Sequence, residues 1–99
     1  MPKIFVPNKS IHDFSSAEEF GDIIFLSEGN LNRYNTSKIY RLFYPIMKNS
    51  TPDDYLLVTG LPMANLVAAF ILIKKHKRLN LLLFKSSKNK KEYLERILI

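Results

Sequence analysis

Three short, mainly apolar runs, Asp22–Ser27, Tyr55–Thr59 and Leu79–Phe84, constrain the fold more than anything else in this chain. Each is too short for a helix and too uniformly apolar for a strand with one wet face, which is the pattern of strands covered on both sides. Helix-length segments separate the first from the second and the second from the third. Strand, helix, strand, helix, strand with short connections predicts parallel α/β units with right-handed crossovers.

The remaining elements fit around that frame. Lys3–Val6 reads as a first strand closed by Pro7 and Asn8. In Phe14–Gly21, Ser15 as N-cap with Glu18 three residues on forms a capping box, and Gly21 stands where a left-handed C′ residue belongs. A helix is expected from Asn35 or Thr36, since Ile39, Leu42, Phe43, Ile46 and Met47 make one apolar stripe; Pro45 inside it should bend the helix or end it early. Pro62 suits the first position of a second helix, whose stretch Leu66–Ile73 has no polar face and must be covered on two sides. Lys85–Lys91 reads as a polar turn after the strand Leu79–Phe84. The tail Glu92–Ile99 is open to two readings: it alternates like a hairpin strand, whereas Asn89 with Glu92 and Glu92 with Arg96 are helix signals. The strand is the expectation.

Ninety-nine residues with 46% hydrophobic side chains fill one core, so residues 1–99 are expected to be a single domain. The architecture resembles small Rossmann-like domains of two or three layers: a mostly parallel sheet of four or five strands, two main helices and a C-terminal hairpin strand. The absence of cysteine removes disulfide and thiol chemistry. The longest apolar run, Leu66–Ile73, falls far short of the ~20 residues that span a bilayer, and the apolar start breaks at Pro7, so a cytoplasmic protein without membrane attachment is expected. Because one small domain offers little to cover Leu66–Ile73, a homodimer is expected as well.

Charge supplies the functional signal. The net charge is +6, and residues 74–91 hold eight Lys/Arg with no acid, whereas residues 1–73 hold six against seven Asp/Glu. Such asymmetry points to an anionic partner, a phosphate-bearing ligand or nucleic acid. Lys74, Lys75, Lys77 and Arg78 close the second helix and have a structural role against its dipole. Lys85, Lys88, Lys90 and Lys91 lie beyond the fourth strand, on the carboxyl edge where open parallel sheets bind ligands. The same edge collects the loop Ser27–Ser37, with Arg33, Asn35 and Thr36 before a helix N-terminus.

Glycine-rich phosphate motifs are missing: Thr59-Gly60-Leu61-Pro62-Met63 has one glycine where a dinucleotide fingerprint needs three. No metal-ligand spacing is present, and no cofactor is expected. His12 and Glu28 follow the first and second strands and are the weak candidates for catalysis, His12 as a base in metal-independent phosphodiester cleavage. The sequence therefore predicts a binding protein rather than an enzyme, holding a phosphate-bearing partner through Arg33, Asn35, Thr36, Lys88, Lys90 and Lys91. The alternatives are a homodimeric protein–protein accessory module and a nuclease using His12.

Overall fold

The computed structural model describes all residues, 1–99. Five strands, β1 (Lys3–Val6), β2 (Asp22–Phe25), β3 (Tyr55–Leu57), β4 (Leu79–Ser87) and β5 (Lys90–Leu98), form one sheet in the order β2-β1-β3-β4-β5. The first four are parallel and β5 returns antiparallel to β4. Helices α1 (Thr36–Met47) and α2 (Pro62–His76) pack together on one face. A 3₁₀ helix, Ser15–Phe20, lies on the other.

Alternation along the strands sorts the core into two layers. Phe5, Leu56 and Leu79 meet Ile39, Phe43 and Met47 of α1 and Ala64, Ala68, Ile71 and Leu72 of α2. Ile4, Val6, Leu57, Leu82 and Tyr93 meet Phe14 and Ala17 beside and within the 3₁₀ helix. The mixed α/β architecture and the hairpin strand are thus as the sequence predicts, and β5 settles the ambiguous tail as a strand.

Several local expectations are corrected. β2 is an edge strand whose Ile23, Ile24 and Phe25 stay half-buried, because an apolar run looks the same at the centre of a sheet and at its margin. Ser15 is the first residue of the 3₁₀ helix and not its cap; Asp13 Oδ1 accepts from the Ser15 amide at 2.9 Å instead. Gly21 is extended (φ 160°) rather than left-handed, and it is glycine for space: a Cβ there would stand 2.2 Å from the Pro2 carbonyl oxygen, which accepts from the Asp22 amide. α1 passes through Pro45 and ends at Met47. It buries Ile39, Phe43 and Met47, while Leu42 and Ile46 of the same stripe remain exposed. The polar turn contracts to Lys88 and Asn89, because β4 continues to Ser87 and β5 begins at Lys90. α2 buries Ala64, Ala68, Ile71 and Leu72 and leaves Leu66, Phe70 and Ile73 exposed, so its second side is uncovered within one chain.

The amino edge of the sheet is tied by polar groups. Buried Asp54 accepts from the Lys3 amide (2.9 Å) and the Thr51 amide (2.8 Å), and Asn80 Nδ2 donates to the Pro52 and Asp54 carbonyls at 2.7 and 3.2 Å. His76, at the end of α2, shares a 2.8 Å hydrogen bond with Ser50 Oγ, and Lys75 Nζ donates to the Lys48 carbonyl. Burial, and then the Lys75 charge, hold the His76 pKa below its ordinary 6.5, while Asp54 opposes them. The unfolded chain therefore takes up this proton first, so the contribution of neutral His76 is present above 6.5 and is lost as the pH falls below it. The melting temperature is expected to drop between about pH 7.5 and about pH 5.5, and His76→Gln should flatten that drop in a pH series of thermal melts.

Candidate functional site

The strand order determines where loops separate. After β1 the chain turns to β2 on one side; after β3 it turns through α2 to β4 on the other. The loops beyond the carboxyl ends of β1 and β3 therefore diverge and leave a crevice, the position where parallel α/β sheets take ligands. A cleft of about 510 Å³ opens there. Leu57, Phe14 and Tyr93 line its inner part, Asn8, Ser10, His12 and Asp13 one wall, and Thr59, Gly60 and Leu61 the opposite lip, with Phe84 at the open side. A more open hollow of about 620 Å³ lies on the far side of the His12 loop and shares Ser10, His12, Asp13 and Phe14 with it.

Both walls are held by local hydrogen bonds. Asn8 Oδ1 accepts from Ser27 Oγ at 2.9 Å and Asn8 Nδ2 donates to the Gly29 carbonyl at 3.0 Å, which ties the β1 loop to the β2 loop. On the opposite lip Asn65 reaches back from α2: its Oδ1 accepts from the Thr59 amide at 3.1 Å and its Nδ2 donates to the Thr59 carbonyl at 2.8 Å. Gly60 has nothing within 4 Å of where a Cβ would stand, so the lip is open in front of α2. α2 starts with Pro62 and has no side-chain cap, which leaves first-turn amides without protein acceptors.

The electrostatics of the wall are set by a few contacts. Hydrogen bonds from the Ser15 hydroxyl and amide hold the Asp13 carboxyl below the usual carboxylate range. Burial, and secondarily the Asp13 charge, push the Tyr93 phenol above its ordinary value, so it remains a neutral hydroxyl at physiological pH. His12 is exposed, with its amide donating to Ser10 Oγ at 3.2 Å and its ring edge-on to Phe14 at 6.3 Å.

The hairpin β4–β5 extends this site outward. Cross-strand partners share a face, so Phe84 with Tyr93 and Ser86 with Lys91 stand on the cleft side, and Lys85 with Glu92 and Ser87 with Lys90 on the other. Phe84 is 52% exposed and its ring lies 5.3 Å from that of Tyr93. The cleft thus continues into an aromatic shelf and then into Lys91 and the turn residue Lys88.

The structure divides the residues singled out from sequence into two groups. Arg33, Asn35 and Thr36 follow β2, whereas Lys88, Lys90 and Lys91 follow β4; β1 and β3 lie between, about 14 Å sideways at ~4.8 Å per strand. Asn35 is engaged as the α1 N-cap, its Oδ1 accepting from the Lys38 amide at 3.1 Å. Thr36 borders a shallow hollow between the helices with Tyr40, Leu66 and Phe70, and Arg33 is exposed. Lys90 forms a 3.2 Å ion pair with Glu92 on the side away from the cleft. Of the two catalytic candidates, His12 is in the cleft wall, and Glu28 bridges to Lys9 at the end of β2 outside it. No three His, Cys, Asp or Glu gather as a metal site would require.

Sequence reasoning passed over Phe84, Tyr93 and Ser10, and ranked the loop that opens with Thr59, on the same carboxyl edge, below the Ser27–Ser37 loop. Phe84 had a legible signal, an aromatic at the junction of an apolar run and a lysine run. The others become neighbours only once β1 and β3 are known to be adjacent.

These features define a small, mostly parallel α/β domain with a cleft at the point where its strand order reverses. Residues 2–97 match the Phage Pam3 gp32-like protein family, and the chain belongs to it. No curated protein and no solved structure gives a match.

Proposed function

We infer that this protein is a non-enzymatic binding module for a phosphate-bearing partner, a nucleotide or a single-stranded nucleic acid, held at the carboxyl edge of a Rossmann-like sheet. The carrying observation is the continuity of the cleft between β1 and β3 with the Phe84–Tyr93 shelf and with Lys91 and Lys88. A base can stack on an exposed aromatic while cations pair with its phosphates and free helix-start amides donate to them, and stacking is tolerant of sequence. Arg33 and the α1 N-terminus contribute less in this reading, since Asn35 already caps that helix. The family's description names a phage protein, and a phage setting, inside the cell, is part of the proposal.

The test is fluorescence anisotropy of a labelled mixed-sequence single strand against salt, with a mononucleotide as the second ligand. With three or four phosphates neutralised, affinity should fall roughly ten- to fiftyfold between about 50 and 200 mM salt. A salt-independent affinity, or none for either ligand, rejects the proposal. A second reading, a protein–protein accessory module, draws on the exposed Leu66, Phe70 and Ile73 of α2. A third, cleavage of a phosphodiester with His12 as base, draws on the place of His12 in the cleft wall beside Ser10. It requires product formation that persists in EDTA and disappears in His12→Ala.

A further inference from the structure

The sheet has two open edges of unequal kind. β2 is four residues long, whereas β5 runs for nine, Lys90 to Leu98, with the 3₁₀ helix packed against it but no strand paired along its outer side. An edge of that length presents a row of unpaired amides and carbonyls, the template on which another strand adds. Its outer residues include half-buried Leu94 and exposed Ile97 and Leu98.

Two copies can join antiparallel along β5 only about a two-fold axis normal to the sheet, and that axis requires residues of like parity to face each other. The charges then select among the registers. Centring on Glu92 sets Glu92 against itself, centring on Tyr93 sets Lys90 against Arg96, and centring on Glu95 or Arg96 sets that residue against its own copy. Centring on Leu94 alone gives opposite charges and no like pair: Glu92 faces the partner's Arg96, Arg96 faces the partner's Glu92, and Leu94 faces the partner's Leu94. It is also the only register in which all nine residues of the strand overlap.

The neighbours on β4 complete the pattern. Lys85 is the β4 partner of Glu92 and Leu83 that of Leu94. In the joined sheet Glu92 therefore stands between Lys85 and the partner's Arg96, and the Leu83–Leu94 pair continues into its own copy. In the single chain Arg96 is engaged only with the neighbouring Glu95 carbonyl, at 2.7 Å. We propose that the protein forms a two-fold dimer by β5–β5 addition centred on Leu94, making one ten-stranded sheet whose register is fixed by reciprocal Glu92–Arg96 pairs. Charged residues on an edge ordinarily keep strands apart; here their order sets like charges together in every register centred between Lys90 and Arg96 except the one on Leu94. The interface shares β5 with the outer part of the cleft, where Tyr93 and Lys91 stand, but the strand pairing uses backbone groups and the Glu92–Arg96 pairs on the opposite face, so it stands whether or not the ligand reading does.

Sedimentation equilibrium of the full chain tests it. The wild type should be dimeric at high micromolar concentration. Arg96→Glu, which opposes two Glu pairs, and Glu92→Arg, which opposes two Arg pairs, should each raise the dimer Kd at least about tenfold. An equimolar mixture of the two variants should return to dimer, because the heterodimer restores both opposite-charge pairs; this outcome also excludes misfolding as the cause of either loss. Leu66→Glu, on the exposed face of α2, should leave the dimer unchanged. A monomeric wild type, dimers that survive both single substitutions, a mixture that stays monomeric, or a dimer lost in Leu66→Glu would each overturn the proposal, the last in favour of the helix face.

Discussion

Replacing Asp54 with alanine is expected to remove ~3–5 kcal/mol of folding stability, a large share of the 5–15 kcal/mol typical of a domain. Asp54 is 4% exposed, and its carboxylate is the shared acceptor for three donors: the Lys3 amide at 2.9 Å, the Thr51 amide at 2.8 Å and Thr51 Oγ1 at 3.2 Å. Hydrogen bonds to a charged acceptor contribute about 1.5–3 kcal/mol each, and removing the acceptor also strands donors that are partly out of water. The loss is not confined to the Thr51 turn, because the Lys3 bond fixes the start of β1, the strand between β2 and β3. At this chain length the melting temperature should fall by more than about 10 °C. Asp54→Asn keeps one acceptor oxygen and should lose roughly half as much. Unfolding of both variants by urea, followed by circular dichroism, checks the ranking; a change below about 1 kcal/mol in Asp54→Ala would contradict the network.

Asp54 also shows why part of this fold was not legible. In the sequence it belongs to Asn49-Ser50-Thr51-Pro52-Asp53-Asp54, which reads as a solvated turn. Its partners Lys3 and Asn80 are distant in the chain, and only strand order brings them together. The elements themselves were readable because each rests on a local pattern: apolar runs for β3 and β4, the Ile39–Phe43–Met47 spacing for α1, Pro62 at the start of α2, and the tail's alternation for β5. Lateral order has no such local signature. β2 looked buried on both faces and is a half-buried edge, and Arg33 seemed to share a site with the lysines although three strand spacings separate them. The lysine run hid a further division, since alternation turns Lys91 to the cleft face and Lys90 away from it. The cleft itself could be named by edge but not by residue, because the His12 and Thr59 loops become its two walls only when β1 and β3 are neighbours.

Reversing Lys88, Lys90 and Lys91 to glutamate is expected to weaken binding of a short single strand by about a hundredfold or more at low salt. Three cations become three anions beside the Phe84 shelf, so the counterion release that drives association is replaced by repulsion. Lys74, Lys75 and Lys77 cannot substitute for them. They lie at the end of α2, before β4, and the nine residues of β4 place roughly 26 Å between the groups at ~3.3 Å per residue. Screening over ~8 Å at physiological ionic strength leaves that distant group almost unfelt by a compact ligand. Reversing it should change affinity less than about threefold, while lowering the melting temperature because three anions then face the negative end of the helix dipole. Within the hairpin the single substitutions should rank by face: Lys91→Glu above Lys90→Glu, since Lys91 shares the side of Phe84 and Tyr93 and Lys90 is paired with Glu92. Phe84→Ala should remove about 1–3 kcal/mol of stacking and leave the salt slope unchanged, because it deletes no charge. Anisotropy titrations of the five variants at two salt concentrations separate these terms. Equal losses from both lysine triples would show a ligand long enough to span the length of β4, and no loss from either would make the basic asymmetry a solubility feature without a partner.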